Sequence, residues 1–264
     1  MGQALIKGLC NAGVSSRRIT VVEANTATRQ QVIRRYRVNS TTLERMTRHC
    51  GVVIIAVKPQ DFRPVLHELK RRLQRTQRHA LLISIAAGVK IATIERLVGR
   101  MPVVRVMPNL AATVGCAISA VAAGRWARHA DRRIACAIFR CVGEAVELPE
   151  RLFDVVTAIS GSGPAYFFLI FKALRDAGMQ RGLPKAIAQQ LAVSTAIGSA
   201  QLAKGSHDEF ETLIAQVASK KGTTEAALKV FHQCRLSHIL QAGVAAATKR
   251  SKELSSHYLS YSRR

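Results

Sequence analysis

The pattern of apolar and polar positions divides the chain into two parts that meet near residue 150. In the first part, short runs of Val, Ile and Ala alternate with amphipathic segments, whereas helical periodicity dominates after Leu152. The clearest run is Gly51–Val57, whose unbroken apolar character predicts a parallel strand covered on both faces. Repeated strand and helix units of this length predict right-handed crossovers and a mostly parallel sheet.

The other strands of the first part are predicted from similar short runs. They cover Ile19–Val22, Ala80–Ile85, Val103–Met107, Ala117–Ala122 and Ala145–Leu148. A helix precedes the first of them, and Glu23 and Asn25 follow it. This order of helix, strand and acidic residue is typical of the later part of a dinucleotide-binding βαβ unit.

The beginning of such a unit is missing from the sequence. No strand and no G-x-G-x-x-G loop precedes the first helix, and only Gly2 stands where the last glycine of the loop would lie. Two explanations stay open. The written start is internal to a longer reading frame, or the protein no longer binds its dinucleotide well.

The stretch Ile159–Tyr166 separates the two parts. Its two glycines and two serines predict a flexible turn, and Pro164 suits the first turn of a long buried helix because it has no amide hydrogen to leave unpaired. Further along, small residues at 192, 196, 198 and 200 allow helices to approach closely. A helical domain this small is expected to complete its core with a second copy.

The fold class predicted from these patterns is α/β. Residues 1–150 form an N-terminal Rossmann-like, dinucleotide-binding domain without a recognisable first strand. Residues 151–264 form a C-terminal all-helical dimerisation and substrate domain.

Composition limits the classes of partner. The 264 residues carry a formal net charge of +24, which attracts phosphates and nucleotides at low salt. The composition nevertheless argues against nucleic-acid binding as the main role, because aromatic residues make up only 5% of the chain. A basic protein that associates with nucleic acid is a further hypothesis. Such a protein would bind DNA with a steep dependence on salt concentration.

The cysteines, histidines and apolar runs bear on metal binding, on membrane segments and on the redox compartment of the protein. The six cysteines form no C-x-x-C pair, and neither they nor the eight histidines show metal-site spacing, so no metal is expected. No signal peptide and no uncharged apolar run of about 18 residues is recognised, so we expect no membrane segment. A reducing, cytoplasmic setting is the expectation.

Two turns are candidates for binding chemistry. Lys58 follows the strand Gly51–Val57 at its carboxyl end, where open α/β sheets bind ligands, although a lysine can also simply end a strand. In the second part, Ser219–Thr224 precedes a helix, and the amides of Thr223 and Thr224 would bind a carboxylate. Ordinary capping of that helix by threonine is the alternative.

Seven short motifs resemble, in order and across nearly the entire chain, those of the pyrroline-5-carboxylate reductases. They are Met1–Ala4, Ala56–Gln60, Ile83–Gly88, Arg105–Asn109, Thr157–Tyr166, Gly182–Pro184 and Gly222–Thr224. The resemblance implies a Rossmann-like domain for NADPH or NADH and a helical domain that interlocks with its dimer mate, with dimers often assembling further. It implies hydride transfer to the C5 imine carbon of 1-pyrroline-5-carboxylate, which yields proline in the last step of its synthesis.

The resemblance also implies the site residues. The expected cofactor-binding residues are Gly2, Glu23, Asn25, Ala56, Val57, Lys58, Pro59, Ala86, Ala87, Gly88 and Asn109. The substrate carboxylate is expected at Ser219, Gly222, Thr223 and Thr224, with Ser219 and Thr224 as catalytic residues and Thr224 near the ring nitrogen. Cofactor preference stays open, because Glu23 suits a ribose hydroxyl of NADH whereas the positive charge around it, including Arg29, suits the 2′-phosphate of NADPH.

Departures from the family pattern support an alternative function. The glycine-rich loop is absent apart from Met1 and Gly2, and Lys220 and Lys221 stand where the family usually has Pro-Gly. The alternative is a non-catalytic, dimeric scaffold derived from this family.

Overall fold

The structure, a computed structural model, describes residues 1–46, 50–58, 61–76 and 80–260. The chain divides into two compact units. The first unit contains Met1–Ser162 and the C-terminal segment from Ala247, and the second contains Gly163–Ala246. The second unit therefore interrupts the first in sequence.

The first unit alternates strands with helices. Its strands are β1 (Thr20–Val21), β2 (Asn39–Ser40), β3 (Val52–Ile55), β4 (Leu81–Ser84), β5 (Val103–Met107), β6 (Ala117–Ala123) and β7 (Gly143–Glu147). Its helices are α1 (Gly2–Asn11), α2 (Thr26–Tyr36), α3 (Leu43–Met46), α4 (Phe62–Thr76), α5 (Ile91–Val98), α6 (His129–Arg140) and α7 (Phe153–Val156). Three 3₁₀ segments, Ser16–Arg18, Leu110–Val114 and Glu150–Leu152, connect these elements.

The strands form two sheets. The larger has the order β3-β4-β5-β6-β7 and is parallel except for the antiparallel β5–β6 pair, so the prediction of a mostly parallel sheet is confirmed. The smaller is the parallel pair β1–β2, in which Thr20 lies opposite Asn39. The sequence analysis missed β2 because its exposed polar residues give no apolar signal.

The two sheets are not hydrogen-bonded to each other among the described strands, since β1 pairs only with β2 and β3 only with β4. In dinucleotide-binding folds the first strand lies between the strands that correspond to β1 and β3. The break therefore lies at the position that the first strand occupies in such folds. Helix α1 spans the break, because its Leu5 packs in the core of the large sheet and its Ile6 packs with Val32 and Val38 beside the small one.

The large sheet is covered on both faces. In β4, Leu82 belongs to the core on one face and Ile83 to the core on the other, and neither side chain is exposed. Helices α4 and α5 cover the first face, and α1 and α6 cover the second. This arrangement confirms the reading of the unbroken apolar runs as buried parallel strands.

Arg105 is a charged residue inside this sheet. Its side chain on β5 is 4% exposed, and its Nη1 lies 2.9 Å from Oε1 of Glu150. The same carboxylate oxygen accepts the backbone N–H of Ile91, and the guanidinium lies 4.8 Å from the ring centre of Phe153. These contacts fix β5 against the segment that follows Pro149.

The second unit is helical. Its helices are α8 (Gly163–Gln180), α9 (Lys185–Gly205), α10 (Phe210–Val217), α11 (Thr223–Gln233) and the first part of α12 (Leu236–Ser260). Helices α8 and α9 approach closely, since a Cβ placed on Gly178 would lie 3.1 Å from the Cβ of Ala188. Helix α12 continues without interruption into the first unit, where the hydroxyls of Ser251 and Ser255 donate to Oδ1 of Asp154 at 2.6 and 3.4 Å.

The stretch between the units differs from its prediction in two ways. Thr157–Gly161 is π-helical rather than a flexible turn, with Ser162 donating its N–H to the carbonyl of Thr157 at 2.8 Å. Helix α8 begins at Gly163, so Pro164 does lie in its first turn. The expectation that α8 is buried is wrong for the single chain, in which Phe168 is 58% and Leu169 is 67% exposed.

One helical segment, residues 150–180, is long and apolar enough to cross a membrane by length and composition alone. Only 17% of its most apolar window is buried within the chain. Its longest uncharged run, residues 155–171, is shorter than the run of about 18 residues expected of a membrane span, so the sequence pattern does not predict one here.

Candidate active site

Two predicted site segments lie at the carboxyl end of the large sheet. Ala56, Val57 and Lys58 follow β3, and the turn Ala86–Gly88 follows β4. Because β3 and β4 are parallel, with Ile55 opposite Ser84, the structure brings these two segments to the same edge. Pro59, also predicted to bind the cofactor, lies outside the described residues.

The turn after β4 has a defined geometry. The Ser84 hydroxyl accepts the N–H of Ala86 at 3.3 Å, which leaves Ala87 exposed at the tip. Gly88 has a φ of +77°, a value that favours glycine. The turn thus presents backbone and a methyl group rather than bulky side chains.

Asn109 follows β5, the parallel neighbour of β4, and so lies at the same edge. Its backbone carbonyl accepts the N–H of Ala112 at 3.2 Å and begins the 3₁₀ segment Leu110–Val114. Its side-chain Oδ1 is buried and has no hydrogen-bond partner. A buried acceptor without a donor is costly, so this atom is suited to a ligand hydroxyl or amide.

The start of α1 faces this edge. A Cβ on Gly2 would lie 3.6 Å from the Cβ of Ala56, which places the helix start beside the end of β3. No side chain caps α1 at Met1, so its first amides are available to a ligand. Free amides at a helix N-terminus favour anions.

Glu23 and Asn25 lie on the loop after β1. Oε1 of Glu23 accepts the N–H of Asn25 at 2.8 Å, and Oδ1 of Asn25 accepts the N–H of Thr28 at 2.9 Å as the cap of α2. Arg29 donates to the backbone carbonyl of Glu23 at 2.8 Å. Both predicted side chains therefore already take part in local hydrogen bonds.

In the second unit, Ser219 to Thr224 form the turn that begins α11. The N-cap is Gly222, and no side chain caps the helix, so capping by threonine, the alternative raised by the sequence, is wrong. The amides of Thr223 and Thr224 are in its first turn. A Cβ on Gly222 would displace the hydroxyl of Ser219 and would lie 3.0 Å from the Ser219 carbonyl oxygen, so the turn is tight at this position.

Lys221 stands out in this turn. Its φ is +58°, a left-handed conformation that glycine adopts more readily, and its N–H donates to the carboxylate of Glu225. The side chains of Ser219 and Lys220 are exposed beside it. The turn combines free amides, hydroxyls and cations, which is a donor set for a carboxylate.

Three of the cysteine side chains lie in surroundings that disfavour the thiolate. Burial raises the pKa of the Cys50, Cys136 and Cys141 thiols above the ordinary value, which keeps them protonated and weakly nucleophilic. In the part of the chain that the structure describes, no group of three or more His, Cys, Asp or Glu residues could hold a metal.

Two family models match the chain. Residues 150–254 match the model described as pyrroline-5-carboxylate reductase dimerisation, and residues 1–88 match the model of NADP oxidoreductases that are coenzyme F420-dependent.

Several known proteins are similar over nearly the whole chain. The pyrroline-5-carboxylate reductase of Arabidopsis thaliana is 36% identical over 97% of this chain and 92% of its own length. That of Corynebacterium melassecola is 35% identical over 97% and 96%. Among solved structures, a pyrroline-5-carboxylate reductase from Coxiella burnetii superposes with a TM-score of 0.90 at 32% identity, covering 96% of this chain and 94% of that one. The Plasmodium falciparum pyrroline carboxylate reductase, solved with NADP bound, gives 0.85 at 29% identity, covering 97% and 94%.

Proposed function

The chain belongs to the pyrroline-5-carboxylate reductase family, and from that premise we propose that it reduces 1-pyrroline-5-carboxylate to proline with NADPH or NADH. This reaction is the last step of proline biosynthesis. The observation that carries the proposal is the meeting of three turns, after β3, β4 and β5, at one sheet edge beside the start of α1. The non-catalytic scaffold is not favoured, because the relatives that match nearly the whole chain are reductases.

The residues present at this edge fit a nicotinamide cofactor. The unpartnered Oδ1 of Asn109 needs a donor, and the uncapped amides of α1 at Gly2 suit a phosphate. When bound, the cofactor supplies the hydride. We assign Ala56–Lys58, Pro59 and Ala86–Gly88 to flanking its nicotinamide and ribose, where the small residues of the second turn allow a close approach.

The substrate is a cyclic imine with a carboxylate. The amides of Thr223 and Thr224 bind that carboxylate, and the exposed Lys220 and Lys221 add positive charge near it. A protonated imine is already electrophilic, so the site chiefly orients two rings and excludes water. Ser219 and Thr224 act as the catalytic residues by holding the imine nitrogen in position, and no general base is required.

The active form is a homodimer or a higher homo-oligomer. The support is the exposed apolar surface of the second unit, including Phe168 and Leu169, in the segment that matches the dimerisation model. We assign this surface to a second copy of the chain rather than to lipid. Burial of such side chains is worth about 1.5–3 kcal/mol each.

A reducing, cytoplasmic setting accords with the cysteines, all six of which are free thiols. Nucleic acid is not a proposed partner. The guanidinium groups of Arg100 and Arg125 lie over the ring of Trp126, at 5.4 and 5.1 Å from its centre. These cations already occupy the ring, which a base would otherwise stack upon.

The test is oxidation of NADPH or NADH by the purified chain, followed by absorbance, with and without 1-pyrroline-5-carboxylate. We expect substrate-dependent oxidation, and Thr224→Val should lower the rate about tenfold or more, because it removes a charge-assisted hydrogen bond. Thr212→Val on α10, an exposed threonine outside the turn, serves as the control and should leave the rate unchanged. A folded, oligomeric protein that oxidises neither nucleotide would contradict the proposal.

A further inference from the structure

The carboxylate of Glu150 joins two elements that form the candidate cofactor edge. Its Oε1 accepts the backbone N–H of Ile91 at 2.8 Å, and the same oxygen accepts from Nη1 of Arg105 at 2.9 Å. Ile91 begins α5, whereas Arg105 lies on β5. One oxygen atom thus links the start of a helix to a strand, although its two partners are 59 and 45 positions away in the sequence.

The contact with Ile91 fixes the far end of the turn Ala86–Gly88. The near end is fixed by β3, because the N–H of Ile85 donates to the carbonyl of Ile55 at 3.3 Å. Helix α5 follows the turn, and the side chain of its N-cap residue makes no capping hydrogen bond. The first amides of a helix have no acceptor within the helix. Glu150 therefore supplies, from a distant part of the chain, the acceptor that a local cap would provide.

The contact with Arg105 fixes the strand that leads to Asn109. Arg105 lies directly opposite Ser84 in the sheet, and the hydroxyl of Ser84 accepts the N–H of Ala86 in the turn. The side chain of Arg105 is 4% exposed and its guanidinium lies 4.8 Å from the ring centre of Phe153, so it is closely packed. The same carboxylate oxygen therefore holds the elements behind two neighbouring segments of the edge.

We propose that Glu150 is a positioning residue for the dinucleotide, acting through Ile91 and Arg105 rather than by contacting the cofactor. It holds the turn after β4 and the end of β5 at the spacing that the cofactor requires, as groups behind a binding site do. The inference rests on the proposed function, which assigns Ala86–Gly88 and Asn109 to the cofactor. Because NADPH and NADH share the nicotinamide and ribose that the turn flanks, loss of positioning weakens the binding of both equally.

Two variants separate positioning from stabilisation. Glu150→Asp keeps the negative charge, which the long side chain of Arg105 can follow, but withdraws the oxygen by one carbon–carbon bond from the backbone amide of Ile91. Glu150→Gln keeps an oxygen at the original distance but removes the counter-charge of the buried guanidinium. Calorimetric titration should show dissociation constants of both nucleotides raised about tenfold in Glu150→Asp and less than about threefold in Glu150→Gln. Thermal unfolding should rank the two variants in the opposite order.

The control variant is Phe139→Leu. Phe139 is fully buried on α6 and belongs to the core on the opposite face of the sheet from Ile91, so its truncation lowers stability without touching either contact of Glu150. Both dissociation constants should stay within about twofold of the native values. Hydrogen exchange gives a measurement without nucleotide. Relative to the amides of β4, the amide of Ile91 should exchange about tenfold faster in Glu150→Asp and unchanged in Phe139→Leu.

The outcomes distinguish this inference from the proposed function. Native affinity for both nucleotides in Glu150→Asp overturns the positioning role and leaves the reductase function standing. A loss of affinity that follows stability, being larger in Glu150→Gln than in Glu150→Asp and also present in Phe139→Leu, overturns it as well. If the native chain binds neither nucleotide and shows no oxidation with substrate, the proposed function fails and this inference fails with it.

Discussion

The two units of the chain bury their apolar residues to very different extents. In the first unit Leu66, Leu69, Leu82 and Ile83 are fully buried, whereas in the second unit Leu169 and Leu202 are 67% and 71% exposed. The first unit thus forms its own core from one chain. The described residues of the second unit form helices without a comparable core, so in the proposed oligomer the stability of this unit depends on the second copy that covers it.

The largest effect is expected from placing a charge on the exposed surface of the second unit. Leu169→Asp should weaken self-association by about 4 kcal/mol, or roughly a thousandfold, because a carboxylate would be buried without a partner in each copy. Analytical ultracentrifugation measures this change. Val114→Asp, at an equally exposed apolar position of the first unit, is the control and should leave the association state unchanged.

The next effect concerns the core of the first unit. Leu82→Ala should lower the free energy of unfolding by about 3 kcal/mol, since it leaves a cavity in a fully buried site. Urea titration at several protein concentrations distinguishes stabilisation by a core within one chain, which does not depend on concentration, from stabilisation by association, which does. If the loss in free energy of unfolding caused by Leu82→Ala disappears at high protein concentration, the first unit does not have an independent core.

A smaller effect is expected where the sheet contacts the segment before the second unit. Glu150→Gln should cost about 2 kcal/mol of stability, because Arg105 would remain buried without its counter-charge while the carboxylate is partly exposed at 26%. Thermal unfolding of the Glu150→Gln variant measures this loss of stability. The matched exposed pair is Arg250 and Glu253, for which Glu253→Gln should change the free energy by less than about 1 kcal/mol.

The smallest expected effect is a gain in stability. Lys221→Gly should stabilise the second unit by about 1 kcal/mol, because glycine tolerates the positive φ of the turn better than lysine. Chemical unfolding of the oligomer detects the gain. If Lys221 also attracts the substrate carboxylate, the same variant should show a raised KM with an unchanged kcat. A loss of stability in Lys221→Gly would show that the lysine side chain contributes more than the backbone conformation costs.

Much of the first unit was predictable because its strands are buried on both faces. The unbroken apolar runs of β3 and β4 directly reflect that burial, and the positions of Lys58 and Asn109 after parallel strands follow from sheet geometry. The two-residue strand β2 was missed because Asn39 and Ser40 are exposed and polar. Its pairing is specified by backbone hydrogen bonds, which no side-chain pattern records.

Two of the other features depend on residues that are distant in sequence, and a third depends on local composition. Arg105 reads as an ordinary interruption of a strand until Glu150, 45 positions away, is placed beside it. In the sequence Arg29 is one positive charge among many, and only the fold shows that it lines a cavity together with Ser40, Thr41, Thr42 and Arg45. The π-helical form of Thr157–Gly161 was hidden because its glycines and serines are equally typical of a loop.

Helix α12 has a consequence for how the chain can be divided. The backbone passes from the first unit to the second after Ser162 and returns within this continuous helix near Ala247. The helical unit is thus an insertion with two covalent attachments, so a single proteolytic cut would not release it. Transplanting it between relatives would require two junctions, one of them in the middle of a rigid helix whose rotational phase must be preserved.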